Sequence, residues 1–521
     1  MRENTDTANI KGSHVNRITT NTILLFLRIL VITIVNLYAV RLVLSGLGDE
    51  EYGVFNAVVG VVMTCSCVFP VLAVSVQRFF SYVIGKGEER KMQEIFSASI
   101  NIIIVSTIVI GLVFETIGVY VISNKLQIPE SVHGDALLVF HFAILTFVFS
   151  YLQIPYTAAV FSHENMGLYA KVSCLDCLLK LLVAFALGFV SNSRLLFYAV
   201  GLAVVSLFTL LCYAFIARKL YPECHYCRVR NKSIYRELLS FSGWTMYGAF
   251  AAVGMMQGNT ILLNMYFGPL ANAAFGVATN IYNAFISLMN SVVLSFRPRM
   301  IQSYAAGDHK SLNMLFKVNN IFILCLLACA AIPVIFEMRI IMLYWLKNGV
   351  SENMVLFSRL FVVYTLILAM HNPITIIIQA SGNIKYYHLL VESIMVLSLP
   401  LTFVLFKFGM PAYTVFLSMI GLGLIAHLVR IICLKFNYKE FSVPTYFVQV
   451  LLRGGAAVAL GVVVAYLLHT SIDFGLLRLC IMMVVSPLST LVFVYLLCTT
   501  QYERSYINSF ISNCSKLILQ I

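Results

Sequence analysis

A chain of 521 residues with 60% hydrophobic and only 11% charged side chains, and a mean hydropathy of +0.90, cannot coat a water-soluble globule of its size. Soluble domains carry about 25% charged residues, so the solvent of this chain is mostly lipid. The net charge of +13 would suggest nucleic acid in a soluble protein, but the positions of the cations between apolar runs exclude that partner, and 13 cysteines scattered mostly inside those runs imply no disulfide framework.

Residues 1–20 are polar and basic (Arg2, Lys11, Arg17) and lack the apolar core and small-residue cleavage site of a secretory signal. Fourteen apolar runs follow, each long enough to cross about 30 Å of hydrocarbon. They lie near 22–45, 54–77, 98–122, 136–160, 168–190, 195–217, 240–264, 276–297, 318–345, 355–379, 388–408, 412–434, 446–468 and 476–499. This pattern predicts an all-α integral membrane protein of about 14 transmembrane helices. Asn372-Pro373 interrupts the tenth run, a break tolerated only where protein or a cavity takes up the freed backbone groups.

One stretch occurs twice. An apolar run ends in Leu44-Ser45-Gly46, Gly53-Val54 opens a second, and that run ends in Ser81-Tyr82 before a charged loop and Phe96. The same order returns as Gly268-Pro269, Gly276-Val277, Ser303-Tyr304, Gly307-Asp308-His309-Lys310 and Phe316, at offsets of 220 to 223 residues. The chain therefore reads as two pseudo-symmetric six-helix bundles, 1–217 and 240–435, joined by a basic linker at 218–239. A further pair of helices and a tail occupy 436–521.

Orientation follows from Lys and Arg alone. With the N-terminus in the cytoplasm, 25 of the 35 cations fall inside and eight outside, while Arg28 and Lys180 lie within the membrane. Both chain ends are then cytoplasmic. Six crossings separate the repeats, so the two copies enter from the same side, as parallel repeats about an axis along the membrane normal. No outer loop is long, and none carries a phosphate-cradling Gly-Lys-Ser/Thr sequence. Enzymatic work, ATP hydrolysis included, is not expected; transport is.

The turn sequences carry a resemblance. Leu262-Leu263-Asn264-Met265-Tyr266-Phe267-Gly268-Pro269, Asn272-Ala273-Ala274, Pro298, Gln302-Ser303-Tyr304-Ala305-Ala306-Gly307-Asp308, Gln379-Ala380-Ser381-Gly382-Asn383-Ile384-Lys385-Tyr386, Leu47-Gly48 and Tyr52-Gly53 resemble the multidrug/oligosaccharidyl-lipid/polysaccharide exporter superfamily. Within it the chain is most similar to bacterial polysaccharide flippases. The resemblance covers segments one to twelve. It implies alternating access between two helix bundles. The substrate implied is a polyprenyl-pyrophosphate-linked oligosaccharide, moved from the inner to the outer leaflet of the cytoplasmic membrane for surface polysaccharide export. Membrane lipids and other polysaccharide-assembly proteins are further partners on this reading. No cofactor is implied beyond H+ or Na+ as the coupling ion.

Ionisable groups inside a membrane cost roughly 2.5–3.5 kcal/mol or more each, so they mark function or are paired. Arg28 has two readings: a cation whose fork suits a pyrophosphate, with Asn36 two turns on, or a side chain snorkelling to headgroups. Asp176 and Lys180, one turn apart, either neutralise each other or leave Lys180 free for substrate. Arg78, Arg297 and Arg299 close segments two and eight, as anchors or as first receivers of phosphate. Asn280, Asn283 and Asn290 share a helical face suited to sugar hydroxyls or to interhelical contacts. Glu115, His141 and His371 are candidates for ion coupling; Glu392 and His427 read as interfacial. Cys224-His225-Tyr226-Cys227 lacks a second ligand pair, so no metal site is expected. A multidrug exporter of the same superfamily would be expected to bury acids in segments one or seven, and none is there. A non-transporting component or enzyme of glycan assembly is opposed by the repeat and the short loops.

Overall fold

The computed structural model describes residues 28–124, 133–346 and 350–499, less positions 29, 30, 33, 37, 40, 41, 44, 49, 50, 52, 53, 56, 57, 63–67 and 192. The start of the first expected segment, both chain ends, and the cations Arg41, Lys125 and Lys347 lie outside the described residues.

Every described element is helical. The described residues between 28 and 48 are helical and are labelled α1, and the described residues between 51 and 62, also helical, precede α2 (Val68–Lys86). Then come α3 (Glu89–Val113), continued through a single π-turn (Phe114–Gly118) into α4 (Val119–Asn124), α5 (His133–Leu152), α6 (Ile154–Ser162), α7 (Met166–Ala186) and α8 (Arg194–Leu220). Next are α9 (Lys232–Ala305), α10 (His309–Leu346), α11 (Glu352–Ser381), α12 (Lys385–Val396), α13 (Ser398–Lys407) and α14 (Thr414–Asn437). The short α15 (Val443–Tyr446) runs through a π-turn into α16 (Arg453–Ser471), and α17 (Leu476–Cys498) follows. Among the described residues 11 helical stretches are long and apolar enough to cross a membrane, which makes this a multi-pass membrane protein.

The 74 residues of α9 form two helices that meet at Gly268, whose φ of 76° and ψ of −173° only glycine adopts readily. By contrast, Asn372-Pro373 does not end its helix. α11 runs on through Pro373 because buried neighbours (Ile374, Ile376, Ile377) surround the break with protein.

Left-handed residues recur along the chain at similar spacing: Gly48 and Gly268, Gly87 and Gly307 (both φ 71°), Glu164 and Gly382, Ser193 and Gly409; the left-handed residue is Gly48 and not Gly46, which the sequence sets against Gly268. The packing order repeats as well. α3 packs on α5, α5 on α8 and α7 on α8 in one set; α10 packs on α11, α11 on α14 and α12 on α14 in the other.

The chain forms two compact units. The first takes in the described residues up to Ala249 together with Leu294–Gly307, and the second takes Phe250–Val293 and the described residues from Asp308 onward. In the first unit Val43, Leu47, Phe55, Val58, Phe114, Phe140, Phe147 and Leu187 make a continuous core. In the second, Phe275, Phe361 and Phe416 pack mutually, and Ala328, Ile332, Ala465 and Met482 join α10 to α16 and α17. Large apolar side chains such as Phe215, Leu270, Phe408 and Phe436 stand exposed, as lipid-facing residues do. Since lipid offers no hydrophobic drive between helices, close approach through small residues carries much of the packing. At Gly85 a Cβ would meet the backbone of Gln302, so α2 and the end of α9 touch main chain to main chain.

Candidate functional site

In the first unit, four of the residues singled out from the sequence come together. α7 begins at Asn165, whose Oδ1 accepts from the Leu168 N–H. From that cap, Tyr169, Ser173, Asp176, Cys177 and Lys180 follow at helical spacing along one stripe. Arg28 of α1 reaches this stripe: its Nε donates to Ser173 Oγ at 2.7 Å, and its guanidinium carbon stands 4.4 Å from the centroid of the Tyr169 ring. Ser173 Oγ in turn donates to the Tyr169 carbonyl at 2.8 Å. Lys180 Nζ donates to Asp176 Oδ2 at 2.8 Å, and Thr209 of α8 donates to Asp176 Oδ1 at 3.0 Å. The thiol of Cys177 points to Asn36 Oδ1 at 3.7 Å. Arg28, Asn36, Asp176 and Lys180 are thus one constellation, with two cations against one carboxylate.

The Asp176–Lys180 pair is made, and Thr209 occupies the second carboxylate oxygen. Arg28 differs: its contacts among the described residues are a hydroxyl and a ring, not a carboxylate. Its fork is oriented by neutral groups while its charge stays available. Arg28, Asp176 and Lys180 are all partly accessible, and Asn36 is exposed.

Glu115 and His141 also meet, with Oε2 and Nε2 3.4 Å apart. Glu115 lies in the π-turn after α3, and His141 Nδ1 donates to the Leu137 carbonyl. Both are about half exposed beside exposed Leu112 and Leu138. The third coupling candidate, His371, belongs to the second unit.

Arg78 is buried in α2 with its guanidinium over Phe79, Tyr82 and Phe241 at 4.6, 5.0 and 5.3 Å. Arg297 is half-buried in α9, and its Nε is sealed off without a hydrogen-bonding partner among the described residues. The two are not in one cluster with Arg28.

In the second unit, Asn280, Asn283, Ser287 and Asn290 are exposed along one face of α9 that begins at Gly276, while Phe275, Ala278, Phe285, Met289 and Val292 bury the opposite face. Amide groups left facing hydrocarbon would be unsatisfied, so such a face suits water, a polar ligand or an interhelical partner.

Two buried clusters were not anticipated. Arg430 sits inside α14, 6% exposed, and its Nε donates to the Tyr387 hydroxyl at 3.2 Å. Beside it, the rings of His371 and His427 stack 5.2 Å apart, and His427 contacts the Tyr446 hydroxyl at 3.3 Å. His388 and Glu392 lie 3.6 Å apart on α12. His427, which reads as interfacial in the sequence, is buried. The second cluster centres on Glu337, wholly buried where α10 loses helical geometry (φ −99°, ψ 16°) one turn after Pro333. Glu337 accepts from Arg478 Nε and Nη2 at 3.1 and 3.0 Å and contacts His469 Nδ1 at 2.8 Å. Arg359 donates to the Ile335 and Phe336 carbonyls that the break leaves free. Positive-inside counting treats Arg430 and Arg478 as loop cations; both are internal.

Compared with known proteins, the chain matches no family model and no curated sequence. Solved structures do match. The Vibrio cholerae MATE transporter VcmN in its bent form aligns at a TM-score of 0.60 and 15% identity, over 82% of this chain and 100% of that one. A MOP superfamily transporter from Pyrococcus furiosus, described as having a binding pocket of reverse polarity that suggests a different function, aligns at 0.66 and 13%, over 81% and 95%. A multidrug resistance MATE family transporter in an outward-facing conformation gives 0.66 and 14%, over 81% and 94%. The chain has the fold of these transporters.

Proposed function

We propose that this chain is a membrane transporter, not an enzyme, working by alternating access. Its substrate is a polyprenyl-pyrophosphate-linked oligosaccharide, carried from the inner to the outer leaflet of the bacterial cytoplasmic membrane for surface polysaccharide export. The observation that carries this reading is Arg28, a guanidinium oriented by Ser173 and Tyr169 and not by an acid, in a group of two cations and one carboxylate. Such a fork suits a pyrophosphate and repels a basic drug. The exposed asparagine face of α9 supports it, since amides match sugar hydroxyls. Coupling to H+ or Na+ belongs to the same reading, with Glu115 and His141 as the paired groups and His371 as the other candidate.

Deleting the gene tests it. Lipid-linked oligosaccharide accumulates in the inner leaflet and drug sensitivity is unchanged. Normal surface glycan together with dye hypersensitivity would instead establish a cation-coupled multidrug exporter, the reading favoured by the likeness to multidrug transporters. Orientation is checked with reporters: cytoplasmic after Asn231 and Lys439, external after Gly409.

A further inference from the structure

We propose that a groove at the basic-loop end of α8 is a binding site for an anionic phospholipid of the adjacent leaflet. The cavity is about 560 Å³ and is lined by Leu211, Ala214, Phe215, Arg218, Lys219 and His225. Its parts are stacked in the order a phospholipid needs. Leu211 and Phe215, both exposed, form the apolar wall one turn apart on α8. Arg218 and Lys219 follow a turn later at the helix end, where the acyl region gives way to headgroups, and His225 faces them from the loop.

The charge is built to stay positive. Arg218 is steadied by donating Nη2 to the Tyr156 hydroxyl at 3.2 Å, which leaves the rest of its fork for an anion. The nearby carboxylate, Glu223, is turned to His163 and is not among the residues that line the groove. His225 is held in place on both sides: Nδ1 donates to the Pro222 carbonyl at 2.8 Å, and its own carbonyl accepts from Gln93 Nε2 at 3.2 Å. The following residues are tied down too, with the Cys227 N–H donating to Ser97 Oγ at 2.8 Å. The wall of the groove is therefore fixed, and its cations meet a phosphate at the depth where apolar side chains meet its acyl chain. Basic pockets of this kind at the end of membrane helices select anionic headgroups.

The test uses the full-length protein in nanodiscs of phosphatidylcholine with or without phosphatidylglycerol, and native mass spectrometry of the lipid retained on release. Phosphatidylglycerol is retained over phosphatidylcholine. Arg218→Gln with Lys219→Gln lowers that retention roughly 30-fold, the worth of two near-surface cations. Arg228→Gln with Arg230→Gln, outside the groove lining, leaves it unchanged. Lys219→Gln alone spares the Tyr156 bond and lowers retention about fivefold, so the result does not depend on the double variant folding. Equal retention of the two lipids, or unchanged retention in Lys219→Gln, would overturn the proposal. So would displacement by inorganic phosphate alone, or a preference for polyprenyl phosphate over phosphatidylglycerol.

Discussion

Arg28 is held by Tyr169 from below and by Ser173 from the side, with the guanidinium carbon 4.4 Å from the ring centroid and Nε 2.7 Å from the hydroxyl. This geometry fixes a planar fork without cancelling its charge. If the fork clamps pyrophosphate, Lys replaces two directed hydrogen bonds by a point charge, and Ala removes both. Transport of lipid-linked glycan by membrane-abundance-matched variants is expected to fall in the order Arg, Lys, Ala, Glu. Charge-assisted hydrogen bonds contribute about 1.5–3 kcal/mol each, so Ala costs on the order of tenfold or more in apparent affinity. Parent-rate export by Arg28→Ala at normal abundance would refute the clamp.

Glu337 and Arg478, both buried, join α10 to α17 through a charged pair. Removing one partner leaves a buried charge uncompensated, at about 3–5 kcal/mol, whereas replacing both by apolar residues is often neutral. Glu337→Gln is expected to lower the Tm of the purified protein sharply, and Glu337→Met with Arg478→Met to recover most of the loss. A double variant no better than the single one would mean that the Pro333 break needs the ion pair itself.

What was legible in the sequence was periodic or repeated. The duplication shows in its turn residues because a left-handed backbone restricts residue choice, as Gly87 and Gly307 illustrate. Arg28, Asn36, Asp176 and Lys180 were legible as polar groups inside apolar runs, and Asp176 with Lys180 by their one-turn spacing. Arg430 and Arg478 were not, because a cation within two turns of a helix end looks the same whether it snorkels or is buried. What buries Arg478 is Glu337, 141 positions away. A trace of that pair was present: a lone Glu four residues after Pro333 within an apolar run.

Gly85 and Gly87 separate two uses of glycine. Alanine at Gly87 meets open space and only backbone strain at φ 71°, a cost of about 1 kcal/mol. Alanine at Gly85 collides with main chain at Gln302, which cannot rotate away. Gly85→Ala is therefore expected to lower Tm more than Gly87→Ala. The reverse order would show that α2 and α9 can separate freely at this crossing.

Glu223 links the loop after α8 to His163, whose ring stacks on Tyr221 at 4.1 Å. Burial pushes the Glu223 carboxyl up, but the His163 hydrogen bond, a backbone hydrogen bond and the imidazole's charge outweigh it and hold the carboxyl below its ordinary 4.5. A depressed folded value means that ionised Glu223 contributes stability above pH 4.5 and loses that contribution as pH falls through the folded value. Hydrogen-exchange protection in residues 221–227, corrected for intrinsic rate, is expected to fall on acidification below pH 4.5 in the parent, and in Glu223→Gln to be lower than the parent's above pH 4.5 and to converge with it at low pH. A parent profile flat down to full protonation would remove His163 as the cause.

Asn280 and Asn283 decide what the exposed face of α9 meets. If it met lipid or a neighbouring helix, leucine at both positions would remove two amides from an unfavourable solvent, raising abundance and Tm and leaving transport intact. If it meets water and glycan, leucine loses hydrogen bonds to sugar hydroxyls and places apolar surface in an aqueous space. Each neutral hydrogen bond is worth about 0.5–1.5 kcal/mol net, so two such losses weaken apparent affinity by roughly five- to 150-fold. Asn280→Leu with Asn283→Leu is then expected at near-parent abundance, with glycan export cut and Arg28-dependent binding of a short polyprenyl pyrophosphate kept. Asn280→Ser with Asn283→Ser, which keeps hydroxyl donors, is expected to retain part of the export. Full export by the leucine pair, together with a higher Tm, would assign this face to packing and leave the sugars to be recognised elsewhere.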